Sequence, residues 1–260
     1  MSDVQEWLRK IAGNIVEEKI TGRDREKSPI LLFMVGAPGA GKSTFIQSIA
    51  NHTFLTNRSL SDCINESLMD QKFPKVLDHS HPLQQALIID PGSFRIQIAT
   101  TYASEKGIPL SQDRNAMRQL KEINVEVTDL IHQTGTYIAE SLLIRCINLG
   151  ISCVMDSTGN SSLGSDGKPT KYAIDIVRSL SESESKAYFF HLEVDIETAR
   201  SRFEISEKGG HVTKYFFNEE IVSKGIERST QIMTTFIEES SKHGGGEYNF
   251  LHIKPRLRSY

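Results

Sequence analysis

The stretch FMVGAPGAGKSTF, residues 33–45, decides how the rest of the chain is read. Gly36, Gly41, Lys42 and Ser43 satisfy the pattern GxxxxGK[ST], in which glycines let successive backbone N–H groups turn inward around a polyphosphate. Lys42 reaches the terminal phosphates and the Ser43 hydroxyl ligates Mg²⁺. The run ILLFMV (30–35) just before it is apolar on both faces, as a central strand of a parallel sheet is. FIQSIANHTF (45–54) continues as a helix whose positive N-terminal end adds to the anion site. In this strand–loop–helix context, Gly36, Ala37, Pro38, Gly39, Ala40, Gly41, Lys42, Ser43 and Thr44 are the candidate site for ATP or GTP with Mg²⁺.

Working outward, Val4, Leu8, Ile11, Ile15 and Val16 recur at helical spacing and predict an amphipathic helix over 3–20, followed by a polar exit, TGRDREKSP. ALIID (86–90), ISCVMD (151–156), KAYFFHLEV (186–194) and YNFLHI (248–253) read as further strands. Helical patterns cover about 115–149, with a break or bend expected at Gly135, then 170–180, 196–207 and 217–240. Residues 55–82 lack long periodicity and read as an insertion. Strands alternate with helices throughout, so the economical architecture is an α/β fold: an open, mostly parallel sheet flanked by helices, with a basic lid. The expected organisation is one P-loop domain over 1–260, with an N-terminal helical segment (1–28) and the insertion as elaborations.

The 260 residues carry a formal net charge of -3, so no global basic field is available to hold a long nucleic acid. Cys63, Cys146 and Cys153 show no CxxC spacing and read as reduced thiols. No run approaches ~18 uninterrupted apolar residues. The expectation is a soluble, cytoplasmic protein with no membrane association.

A phosphate loop leaves the acceptor open, since motors, switches and kinases share it. Two acids lie where ligands of open parallel sheets sit, at the carboxyl ends of strands: Asp90 closes ALIID and Asp156 closes ISCVMD. Such acids orient Mg²⁺-bound water or take a proton from an attacking hydroxyl. Downstream, TARSRFEISEKGGHVTK (198–214) concentrates Arg200, Arg202, Lys208, His211 and Lys214. Basic groups on a flap neutralise a transferring phosphate and exclude water.

Together, GAPGAGKST (36–44), IIDPGSFR (88–95), the helix bearing Glu140, VMDSTGN (154–160), RSRFE (200–204) and KGGHV (208–212) resemble the zeta toxin family of P-loop kinases, relatives of chloramphenicol phosphotransferase. The pieces come in family order and span about 30–230. The resemblance implies transfer of the ATP γ-phosphate to a hydroxyl of a small molecule, such as a nucleotide-sugar or dinucleotide. It implies that Lys42 and Ser43 bind ATP and Mg²⁺, with Asp156 a second metal candidate. Arg202 belongs to the lid, and Arg95, Glu140, Asp156, Thr158 and His211 lie on the acceptor side. An antitoxin-like protein inhibitor is the partner it implies. One departure stands out: the family usually reads D-x-D at the end of its second strand, and here Asp90 is followed by Pro91 and Gly92. Asp90 is the first candidate for the base, and Asp156 or Glu140 stand in reserve. The rival readings are a 5′-hydroxyl polynucleotide kinase and a catalytically weak nucleotide-binding module.

Overall fold

The apolar runs form a single parallel sheet. The computed structural model describes residues 2–27, 29–42, 45–46, 86–113, 115–208, 217–244 and 246–253. Strands β1 (Ile30–Val35), β2 (Leu87–Ile89), β3 (Cys153–Asp156), β4 (Lys186–Leu192) and β5 (Glu247–Ile253) run in the order β2-β3-β1-β4-β5, all parallel. Among the described residues the α-helices are α1 (Ser2–Ile20), α2 (Pro91–Lys106), α3 (Ala116–Ile123), α4 (Val125–Leu149), α5 (Lys171–Ser181), α6 (Ile196–Lys208) and α7 (Glu219–Lys242). This is the expected α/β class, an open parallel sheet flanked by helices. The insertion at 55–82 and the Gly-Gly-His turn (209–211) lie outside the described residues.

Side chains alternate across a strand, so the sheet divides the interior into two cores. Leu31, Phe33, Val35, Ala187 and Phe189 face one side, where α1, α2, α4, α5 and α7 bury Leu8, Ile98, Leu142, Ile176 and Phe236. Ile30, Leu32, Met34, Tyr188 and Phe190 face the other, against Phe45 and Ile46 after the glycine loop and Ala199 and Phe203 of α6. Every residue of β1 is buried, which explains why its sequence shows no polar alternation. Cys146 and Cys153 are buried free thiols in the first core. Among the described residues, no helix is long and apolar enough to cross a membrane.

The helical pattern over 115–149 breaks at Asn124, and α4 runs through Gly135 without interruption. Asn124 is extended (φ -152°) and its side chain accepts from the Val127 N–H, so it both ends α3 and caps α4. Gly135 serves a close helix contact instead. A Cβ there would lie 2.5 Å from Arg95 Cγ and 3.1 Å from the Pro91 carbonyl oxygen of α2. Alanine gains about 1 kcal/mol of helix propensity over glycine, whereas overpacking costs about 1–3 kcal/mol. Gly135→Ala is therefore expected to lower the melting temperature, and a melting temperature at or above the parent's would show that α2 yields freely.

Candidate active site

Both acids and the glycine loop gather at the carboxyl ends of the strands because of how the chain is wound. From β1 it goes to one edge (β2, then β3) and crosses back to the other (β4, then β5), so the switch point lies beside β1, where open sheets bind ligands. The loop leaves β1 there. Gly39 (φ +81°) and Gly41 (φ +87°) occupy the left-handed region that L side chains rarely adopt. A Cβ on Gly36 would stand 2.8 Å from the Leu192 carbonyl, so the loop is seated directly on the tip of β4. The Lys42 ammonium donates to the carbonyls of Gly36 (2.8 Å) and Ala37 (3.2 Å), which holds it against the first turn of the loop. Left-handed glycine corners and a tethered ammonium fit a magnesium-bound polyphosphate. Ser43 and Thr44 lie outside the described residues.

Strand register places the acids. Asp156 ends β3 opposite Met34 of β1, two residues before Gly36. On the other side Ile89 pairs with Met155, so the next residue, Asp90, comes abreast of Asp156. Asp90, however, is engaged in its own turn. It caps α2, accepting from the Gly92 N–H (2.7 Å) on one oxygen and from the Ser93 hydroxyl (2.8 Å) on the other, with Pro91 following as the first helical residue.

The basic segment divides by helical geometry. Asp195 starts α6 by accepting from the Thr198 N–H (2.7 Å) and hydroxyl (2.9 Å). Residues 200 and 202 then point about 200° apart around the axis. Arg200 turns outward, pairing with Glu219 (2.7 Å) and lying over the Phe217 ring at 5.1 Å. Arg202 turns inward and donates from Nη1 to the Gly39 carbonyl at 2.9 Å. Its guanidinium is half-buried, and burial lowers its pKa while the Asp195 charge opposes that shift. His211 and Lys214 lie outside the described residues.

The remaining acceptor-side candidates scatter over α4 and its neighbours. Arg95 reaches across to α4, donating to the His132 carbonyl (3.3 Å) and the Thr136 hydroxyl (2.8 Å). Thr158 is half-buried in the loop after β3, a loop clamped from α7 by Arg228, whose Nη2 donates to the carbonyls of Asn160 (3.1 Å) and Leu163 (2.5 Å). Glu140 is half-buried, and burial raises its carboxyl pKa above 4.5 against the opposing Ser161 hydroxyl. Nearby Tyr172 is half-buried with its hydroxyl enclosed, and its phenol is pushed well up, first by burial and then by the Glu140 charge. A carboxyl with a raised folded-state pKa adds stability that is present below about 4.5 and is lost as pH rises through the raised value. Glu140→Gln is therefore expected to melt above the parent at pH 7, with the gap closing as pH falls to 4.5. A gap independent of pH would refute this.

One cluster has no counterpart in the sequence reading: His191 and Glu193 at the end of β4 with His252 on β5. Two histidines far apart in the chain carry no local signal; only the alternation in His191-Leu192-Glu193 hints at a shared face.

No protein-family model matches the sequence. No curated protein matches it either. Among solved structures, the chain is similar to one from the PezAT chromosomal toxin–antitoxin system of the human pathogen Streptococcus pneumoniae, at 14% identity over 92% of this chain and 73% of that one, with a TM-score of 0.44. It is also similar to a protein assigned as a kinase from Chloroflexus aurantiacus J-10-fl, at 11% identity over 88% of this chain and 90% of that one, with a TM-score of 0.41.

Proposed function

We propose that this protein is a Mg·ATP-dependent kinase that transfers the γ-phosphate to a hydroxyl of a small nucleotide-containing metabolite, a nucleotide-sugar or dinucleotide. The observation that carries the reading is the convergence on one strand-tip crevice of a left-handed glycine loop, the Lys42 ammonium and the Arg202 guanidinium, with Asp156 on the neighbouring strand.

In this reading the loop amides and Lys42 hold the polyphosphate, while Ser43 holds Mg²⁺, which neutralises phosphate charge. Arg202, anchored to the loop through Gly39, stabilises the charge that develops on the transferring group. Because the oxygens of Asp90 serve the start of α2, Asp156 takes the base role. The acceptor oxygen bonds to phosphorus, the bridging bond to the leaving diphosphate breaks, and the acceptor proton passes to the Asp156 carboxylate. Arg95, Glu140, Thr158 and His211 are assigned to the acceptor side. A cytoplasmic setting and an antitoxin-like protein inhibitor belong to the same proposal.

The test is to incubate the protein with Mg·ATP and a metabolite extract and to search by mass spectrometry for species heavier by one phosphoryl group. Product that disappears with Lys42→Ala supports the reading; phosphorylation of a short oligonucleotide in preference to nucleotide-sugars overturns the acceptor class. A second reading, a nucleotide-binding module with weak catalysis, is favoured by the engagement of Asp90 in its helix cap. It stands if nucleotide binds tightly and no acceptor gains phosphate.

A further inference from the structure

Beside the glycine loop, the ends of β4 and β5 bring together a second set of donor atoms. Residues two apart on a strand share a face, so His191 and Glu193 project to the same side. In the parallel register of β4 on β5, His191 stands opposite His252, which adds the second imidazole to that face. One ligand atom from each of the three residues lies within 4.8 Å of the others. The two imidazole Nδ1 atoms are 3.1 Å apart, and His252 Nδ1 is 3.6 Å from Glu193 Oε1.

The hydrogen bonds around His191 set its tautomer. The Ser229 hydroxyl donates to the Ile226 carbonyl at 2.8 Å, so at 3.1 Å from His191 Nε2 it accepts the ring N–H. That leaves the lone pair on Nδ1, facing His252. An imidazole oriented by an outer hydrogen bond, with its other nitrogen turned to a second imidazole and a carboxylate, is how proteins present ligands to a metal. Two nitrogens each about 2.0–2.1 Å from one ion lie about 2.9 Å apart at a right angle and about 3.3 Å apart at a tetrahedral angle. The observed 3.1 Å falls within that interval. Glu193, whose side chain is 35% exposed, supplies the carboxylate of the set. His191 and Glu193 also line a cavity of about 670 Å³, together with Ala37, Asp195, Thr198 and Thr230.

We infer that His191, Glu193 and His252 form a binding site for a divalent transition-metal ion, with three protein donors and the remaining positions open to solvent or to an anionic oxygen ligand. Two imidazoles and one carboxylate suit Zn²⁺, Co²⁺ or Ni²⁺, and disfavour Mg²⁺ and Ca²⁺, which take oxygen ligands. The site is separate from the Mg²⁺ proposed at Ser43, and its test does not depend on kinase activity.

The full chain, stripped with a chelator, is titrated with Zn²⁺ by calorimetry in excess Mg²⁺, and with Co²⁺ by visible absorption. One saturable equivalent with Co²⁺ ligand-field bands is expected. Glu193→Gln and His252→Ala, at partly exposed positions, should each abolish it while leaving the metal-free melting temperature unchanged. Ser229→Ala should weaken it by about 10- to 100-fold. Since the chain has 8 histidines, binding that survives either ligand variant belongs elsewhere and overturns the site. So does the absence of saturable binding, which would leave a plain hydrogen bond between the two imidazoles.

Discussion

Arg202→Ala is expected to lower the rate of the proposed phosphoryl transfer by about 10³-fold or more, the lower end of the range for an arginine that stabilises the transferring phosphate. The guanidinium reaches the Gly39 carbonyl, and a Cβ on Gly41 would lie 3.4 Å from the same Nη1, so this side chain touches the loop that is proposed to hold the nucleotide. Arg200, two residues away, pairs outward with Glu219 and serves as the control. Its alanine variant should retain most of the rate, since exposed ion pairs are worth about 0–1 kcal/mol. Arg202→Lys keeps the charge but loses the planar fork and should recover little. The measurement is single-turnover transfer alongside nucleotide affinity. A loss confined to affinity would make Arg202 a brace for the loop; equal losses for Arg200 and Arg202 would overturn the assignment.

Phe236→Ala should cost the fold about 3–5 kcal/mol. The ring is fully buried, 5.1 Å from Phe33 and 4.7 Å from Phe189 between centroids, and it fastens α7 to the two central strands. With about 2–4 °C per kcal/mol for a domain of this size class, the melting temperature should fall by roughly 6–20 °C. Phe236→Leu, which keeps more of the volume, should cost less. Because α7 also carries Arg228 and Ser229, the variant should loosen the loop after β3 before the sheet itself melts. A fall of only a degree or two would mean that the helix repacks without this ring.

Much of the frame was legible because its signals are local. The buried strand β1 shows as an uninterrupted apolar run, and the glycine loop follows it within the same few residues. Helix boundaries came out close where caps are chemically explicit, as at Thr170 and Asn218, whose side chains accept from Ala173 and Ile221. Gly135 misled because glycine disfavours helices in general, whereas here its missing side chain is what a crossing helix requires. Asn124, which does end a helix, carried the capping signal all along.

The sequence by itself determined the class of sheet, the glycine loop after its first strand and the supply of acids and arginines around it, because each depends on neighbours a few residues apart. Only the tertiary structure decided which of these groups meet. Strand register sets Asp90 and Asp156 abreast and His191 beside His252; helix rotation sends Arg202 to the loop and Arg200 to solvent. Register and rotation are set by the packing of two cores against a twisted sheet, a collective property of contacts distant in the chain. No local stretch of residues encodes it.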